Sequence, residues 1–249
     1  MIKYVWITEM TDPIFHWKKI ENLAAINEPL IVYSKAKVPI DFFCDNPQIG
    51  LNLTISGWGN TWLEPNVPNA NEMIDHLNEV ISKINVDRVR LRIDPGVPTK
   101  EGIKRASKVL TEVVKLPKTI TSVIQFYSGH KAIFEKLKID MNYYKIKSGR
   151  AIFPEKVIAE RWFECLLEAR PDSKSLLSFC GMPYEIENSN HTGCVDRDLL
   201  NAMGFSEFAE IQPGRQRPGC KCVIKKKQAC NDSCDHGCKY CYAHKENSY

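Results

Sequence analysis

Residues 88–94 read RVRLRID, and the alternation within them decides the fold. Successive side chains on a strand point to opposite sides, so Val89, Leu91 and Ile93 share one face while Arg90, Arg92 and Asp94 share the other. A parallel strand covered on both sides reads as apolar on both faces. This one does not, and neither does IGLNLTIS (49–56), where Asn52, Thr54 and Ser56 lie opposite Leu51, Leu53 and Ile55. Two arrangements accommodate such strands: a barrel whose interior holds a polar ligand, or a sheet with one face in solvent.

Four more stretches read as strands, being short, apolar or alternating: YVWIT (4–8), PLIVYSK (29–35), TITSVIQFY (119–127) and SLLSFC (175–180). Between them, PIFHWKKIENLAAI, ANEMIDHLNEVISKI, TKEGIKRASKVLTEVV and EKVIAERWFECLLEA place apolar residues at i, i+3, i+4 and i+7, one face of a helix. About six alternating units predict an α/β fold with a parallel sheet and right-handed crossovers, either an open doubly wound sheet or a partial barrel. The chain has 249 residues and is 43% hydrophobic, enough for a well-buried core. It has no run of about 18 apolar residues, and MIKYVWITEM starts strand-like without the features of a signal peptide. The expectation is a cytoplasmic protein that does not enter a membrane.

Six of the ten cysteines (220, 222, 230, 234, 238 and 241) crowd into the last thirty residues, which in a reducing compartment points to metal binding rather than to disulfides. CDHGCKYCYA sets Cys234, Cys238 and Cys241 at C-x3-C-x2-C spacing, with Tyr240 just before the third thiol. Three thiolates leave one position open on a metal site that prefers four, and an open position binds substrate. Arg215, Arg217, Lys221, Lys225, Lys226 and Lys227 form an adjoining basic run. It reads either as a solvated loop that offsets thiolate charge or as a contact to nucleic acid or phosphate.

The cysteine spacing, with its aromatic residue, resembles the signature of the radical S-adenosylmethionine superfamily, except that it stands at the C-terminal end and not after the first strand. More of the chain resembles the domain-of-unknown-function family 1848: SGWGNTWLEPNVPN, RLRIDP, CVDRDLLNAMG, the proline-flanked Arg-x-Arg before CKC, and the closing CDHGCKYCYA. The resemblance implies a partial (β/α) barrel of about six parallel strands over residues 1–205. It implies a radical S-adenosylmethionine-like core whose cluster loop is permuted to the C-terminus, with a cysteine-rich segment over 206–249 packed on the barrel mouth. It further implies that Cys234, Cys238 and Cys241 hold a [4Fe–4S] cluster that binds S-adenosylmethionine and cleaves it reductively. A 5′-deoxyadenosyl radical would then take hydrogen from a substrate, with electrons supplied by a flavodoxin- or ferredoxin-type donor. Cys180, Cys194, Cys220 and Cys222 match further cysteine positions of the family, which suit an auxiliary iron–sulfur cluster, a structural zinc, or separate thiols. The chain departs from the family pattern at Glu9 and Met10, where an arginine pair is usual, and in VIKKKQACNDS, which adds Cys230.

Other residues carry paired readings. Ser56, Gly57 and Gly59 of SGWGN suit backbone contacts to the cofactor, since glycine allows close approach, or a plain turn. Arg92 and Asp94 suit a carboxylate and a ribose or amino contact to the cofactor, or an internal ion pair. Tyr240 adjoins the cofactor by its place in the motif. Glu64 reads as a loop carboxylate, Tyr127 as a packing residue or hydrogen donor, His236 as a loop residue, and Cys44 and Cys165 as small buried hydrophobes. The substrate is either a nucleobase or nucleotide, or a small amino-acid-like molecule. The alternative from another class is a non-enzymatic zinc module that grips nucleic acid through the lysines.

Overall fold

The computed structural model describes residues 4–190, 193–208, 220, 222, 226–230 and 232–241. Strands are β1 (Val5–Ile7), β2 (Leu30–Ser34), β3 (Ile49–Thr54), β4 (Val89–Gly96), β5 (Lys118–Val123), β6 (Tyr144–Ser148), β7 (Ala151–Pro154), β8 (Leu177–Phe179) and β9 (Lys226–Gln228). Helices are α1 (Trp17–Ala24), α2 (Ile40–Asp45), α3 (Ala70–Lys83), α4 (Lys100–Glu112), α5 (Lys131–Leu137), α6 (Lys156–Ala169) and α7 (Arg197–Ala202). Two of the three longer helices, α3 and α4, start where the sequence supplies a cap: the Asn69 side chain accepts from Glu72 N, and that of Thr99 accepts from Gly102 N.

Seven strands form one parallel sheet in the order β8-β5-β4-β3-β2-β1-β9. All six strands expected from the sequence are in it. The seventh, β9, arrives from beyond residue 205 and pairs with β1, Val5 opposite Lys226. From β1 to β8 each new strand joins the same side, so the sheet is wound in one direction rather than doubly. It does not close into a barrel; β8 and β9, three residues each, are its edges. β6 and β7 make a separate antiparallel hairpin.

One face of the sheet carries Leu51, Leu53, Val89, Leu91 and Ile93, which pack in one core with Met73 and Leu77 of α3, Val109 and Leu110 of α4, and Trp162 and Phe163 of α6. The other face holds a second core: Val5, Ile7, Ile31, Tyr33 and Ile120 under Leu199, Leu200 and Met203, together with Cys180, Cys194 and Cys222. The polar residues of β3 and β4 lie on this second face and are buried, Asn52 at 0%, Arg90 at 1% and Arg92 at 8% exposure. A solvent-facing sheet is therefore excluded for these strands.

Buried charge persists only when paired, and each of these groups is held. The Arg90 guanidinium donates to Asp196 Oδ1 at 2.7 Å and to the carbonyls of Asp87 and Val89. Asn52 Nδ2 donates to the Cys194 carbonyl at 3.1 Å, and Arg92 pairs with Asp94. No helix among the described residues is long and apolar enough to cross a membrane. Cys44 is exposed and Cys165 half-buried, contrary to the expectation that both are core residues. Cys44 follows buried Phe43 on α2 and so turns outward, and Cys165 lies between exposed Glu164 and buried Leu166 at the edge of the buried face of α6.

Candidate functional site

A cleft of about 200 Å³ opens at the C-terminal ends of the strands. It is lined from β1 and β2 by Thr8, Tyr33 and Lys35, from β4 and β5 by Arg92, Asp94 and Ser122, and after β8 by Cys180 and Gly181. Its remaining wall is the C-terminal loop, which contributes Cys234, His236, Cys238, Tyr240 and Cys241. Strand ends are where parallel α/β folds gather their chemistry. The loop lies over them although it follows β8 by more than fifty residues.

Specific bonds hold it there on two sides. Toward β1, Thr11 Oγ1 donates to the Asp232 carbonyl at 2.8 Å, Lys19 Nζ pairs with Asp232 at 2.6 Å, and His16 Nε2 meets the Ser233 carbonyl at 2.9 Å. His236 Nε2 lies 2.7 Å from Asp12 Oδ2, and a carboxylate only accepts, so Nε2 is the donor in this contact; Nδ1 faces the Asn66 carbonyl at 3.4 Å. Asp12 itself accepts from Ser34 Oγ and from the backbone N–H of Lys35. Toward the segment after β3, Asn66 Nδ2 donates to the Asp235 carbonyl at 2.7 Å, Asn66 N to His236 O, and Lys239 N to Leu63 O.

Glu64 is the hub of the second side. Fully buried, it accepts from Ser56 Oγ, from Lys35 Nζ at 2.8 Å and from the Tyr240 hydroxyl. Burial disfavours the Lys35 ammonium, but Glu64 together with Cys238 and Asp94 outweighs that and holds its pKa above the ordinary lysine value. Burial, then Glu64, raises the Tyr240 phenol well above its ordinary value. Both groups therefore stay protonated as donors to the carboxylate. The thiols are also desolvated: burial raises Cys234 and pushes Cys238 up to about 12. A metal that binds them must displace protons, repaid by the metal–thiolate bonds.

The structure thus brings Cys234, Cys238, Cys241, Tyr240, Arg92, Asp94 and Cys180 to one cleft. Ser56 is linked to the loop through Glu64, to which its Oγ donates. Gly57 and Gly59 are not among the lining residues, and local packing accounts for both: Gly57 has φ +84° and lies against Arg105, while a Cβ on Gly59 would stand 1.9 Å from the Pro68 carbonyl. Cys194, Cys222 and Cys180 share the second core, with Cys220 packed against it. Among the described residues no three His, Cys, Asp or Glu side chains converge as a single metal ion requires. Tyr127 lines the cleft, its hydroxyl donating to Gln125 at 2.9 Å. Glu9 and Met10, where the family pattern has arginines, also line it.

Lys35, Asp12 and Tyr33 are site residues that the sequence does not single out, and Glu64, which reads there as a loop carboxylate, is instead fully buried and the hub of the network. Of the basic run, Arg215, Arg217, Lys221 and Lys225 lie outside the described residues; Lys227 stands over the Trp6 ring at 4.0 Å, on the outer strand.

No curated protein and no solved structure matches the chain. A family described as Domain of unknown function (DUF1848) matches residues 44–243, a span from α2 to the end of the C-terminal cysteine loop that takes in most of the cleft. The chain belongs to the DUF1848 family.

Proposed function

We propose that the chain is a radical S-adenosylmethionine enzyme whose core is a partial barrel with the cluster loop permuted to the C-terminus. One observation carries this reading: Cys234, Cys238 and Cys241 line a single cleft with Arg92 and Asp94 at the strand ends. Three thiols on one loop suit a [4Fe–4S] cluster, in which each thiolate binds a different iron. Such a cluster, when bound, supplies an open iron for S-adenosylmethionine and its reductive cleavage.

The chain's own residues orient and enclose. Tyr240, Glu64 and Lys35 fix the last turn of the loop, and Asp12 fixes its middle through His236. Arg92 and Asp94 offer the cleft a fixed cation and anion, suited to the carboxylate and the amino or ribose groups of the cofactor. The substrate is a nucleotide or a small amino-acid-like molecule, and a flavodoxin- or ferredoxin-type protein supplies the electron. A zinc module for nucleic acid is the weaker reading, because the cysteine loop faces an internal cleft rather than an open surface.

The test is anaerobic incubation of iron-reconstituted protein with dithionite and S-adenosylmethionine. Formation of 5′-deoxyadenosine is expected. Colourless protein with stoichiometric zinc and no cleavage product would overturn the reading.

A further inference from the structure

The second core holds four cysteines and a tyrosine hydroxyl that the radical reading does not use. Three separate stretches of chain deliver cysteines to it: Cys180 from the end of β8, Cys194 from just before α7, and Cys220 and Cys222 from just before β9. Tyr33 is packed in the same core at 4% exposure, and its hydroxyl has no hydrogen-bond partner. Arg92 places its guanidinium 5.2 Å from the Tyr33 ring centre, and its Nε is likewise buried without a partner. Two orphaned donors in one buried region are costly, since each has given up its hydration with no acceptor in return. A site that binds an acceptor recovers that cost.

We propose that Cys180, Cys194, Cys220 and Cys222 hold a second iron–sulfur cluster on this inner face, and that Tyr33 and Arg92 donate hydrogen bonds to its sulfurs. The thiols are near the donors: Tyr33 packs in one core with Cys180, Cys194 and Cys222, and Tyr33, Arg92 and Cys180 line the same cleft. A single zinc ion is the poorer occupant. Its four sulfurs must each lie about 2.3 Å from one centre, and no such convergence exists among the described residues. A four-iron cluster takes its thiolates at separate irons and accepts hydrogen bonds at both thiolate and sulfide, which tune its potential. The surrounding shell is dry, built from Val5, Ile7, Ile31, Ile120 and Val195, while Asn52 pins the Cys194 carbonyl. Cys180, Tyr33 and Arg92 also line the cleft, so a molecule held there touches both cysteine sets.

This inference is independent of the radical reading and is tested in a chain that lacks that site. A full-length variant with Cys234, Cys238 and Cys241 all changed to Ala is reconstituted anaerobically with iron and sulfide. It should retain about four irons of about eight in the wild type, and show a cluster signal by electron paramagnetic resonance on reduction. Adding Tyr33→Phe removes one hydroxyl and keeps the ring, so the remaining cluster should shift to a more negative midpoint potential with its iron unchanged. Loss of all iron, stoichiometric zinc in its place, or an unshifted potential in the Tyr33→Phe variant would overturn the proposal. Should the triple variant misfold by circular dichroism, Cys194→Ser with Cys222→Ser in the otherwise wild-type chain reads the same site. Its iron content should fall by about half, and an unchanged content overturns the proposal equally.

Discussion

The hydroxyl of Tyr240 donates to the carboxylate of Glu64, 176 residues earlier in the chain, and that carboxylate is fully buried. The same carboxylate neutralises Lys35. Removing it strands a cation that is four-fifths buried, and breaking a buried pair from one side is strongly destabilising. Glu64→Ala should lower unfolding stability by on the order of 3 kcal/mol, whereas Tyr240→Phe, which leaves the Lys35–Glu64 pair intact, should cost about 1 kcal/mol. Urea denaturation of both variants checks the order. Equal effects would mean that Glu64 serves only the tyrosine.

None of this was legible in the sequence, because a carboxylate before a proline has the same local signature whether it is solvated or the hub of a buried network. The six strands were legible for the opposite reason: their signal is periodic and local. β9 was not, since Lys226–Gln228 is three polar residues on an edge, with nothing to bury and only the neighbouring β1 to define it. The β6–β7 hairpin did leave a trace, YKIKSGRAIFP, with Gly149 at φ +59° in its turn. The alternation in RVRLRID gave the correct faces, but whether the polar face met water or a second core depended on α7 and the cysteine loops, over a hundred residues away.

Each of Cys234→Ala, Cys238→Ala and Cys241→Ala should abolish 5′-deoxyadenosine formation and remove about four irons per chain, because a three-thiolate cluster has no spare ligand. Iron analysis and product chromatography on the three single variants decide this. Full iron and full cleavage in all three would refute the assignment.

Asp196 pairs with buried Arg90 at 2.7 Å, accepts from Lys118 Nζ at 3.4 Å, and caps α7 by accepting from Leu199 N at 2.8 Å. Asp196→Ala should therefore cost about 3–5 kcal/mol, the range for stripping one partner from a buried pair, with the lost cap included. Lys83→Ala, which breaks the exposed pair with Glu79, should cost less than about 0.5 kcal/mol. Thermal unfolding of the two variants side by side measures the contrast.

Burial lowers the His76 pKa, and its Nε2 accepts from Val38 N at 3.0 Å, so the folded protein favours the neutral ring. The folded state then binds fewer protons than the unfolded state below the ordinary histidine pKa of about 6.5. The contribution is fully present above that value and is lost as pH falls through it toward the lower folded pKa. Burial lowers His130 in the same sense. The melting temperature should fall between about pH 7 and about pH 5, and His76→Gln should flatten that fall, with His130 leaving a residue of it. An identical slope in the variant would assign the acid sensitivity elsewhere.

Deleting everything after residue 213 separates the sheet from its cysteine loop. The six strands β1 to β5 and β8 precede the cut, as do the α3, α4 and α6 faces that make the larger core. The cut removes β9, leaving β1 an unpaired edge, and removes His236 and Tyr240, so that Asp12 and Glu64 each lose a hydrogen-bond donor. Unpaired edges invite association with other sheets. The truncated chain should keep its helical circular dichroism, melt at a lower temperature, elute as larger species in gel filtration, and form no 5′-deoxyadenosine. A truncated chain that is unfolded would show instead that the loop is part of the fold's minimal core. The melting shift should be partly reproduced in the full-length chain by combining Asp12→Asn with Glu64→Gln, which weakens the same two anchors while β9 stays in place.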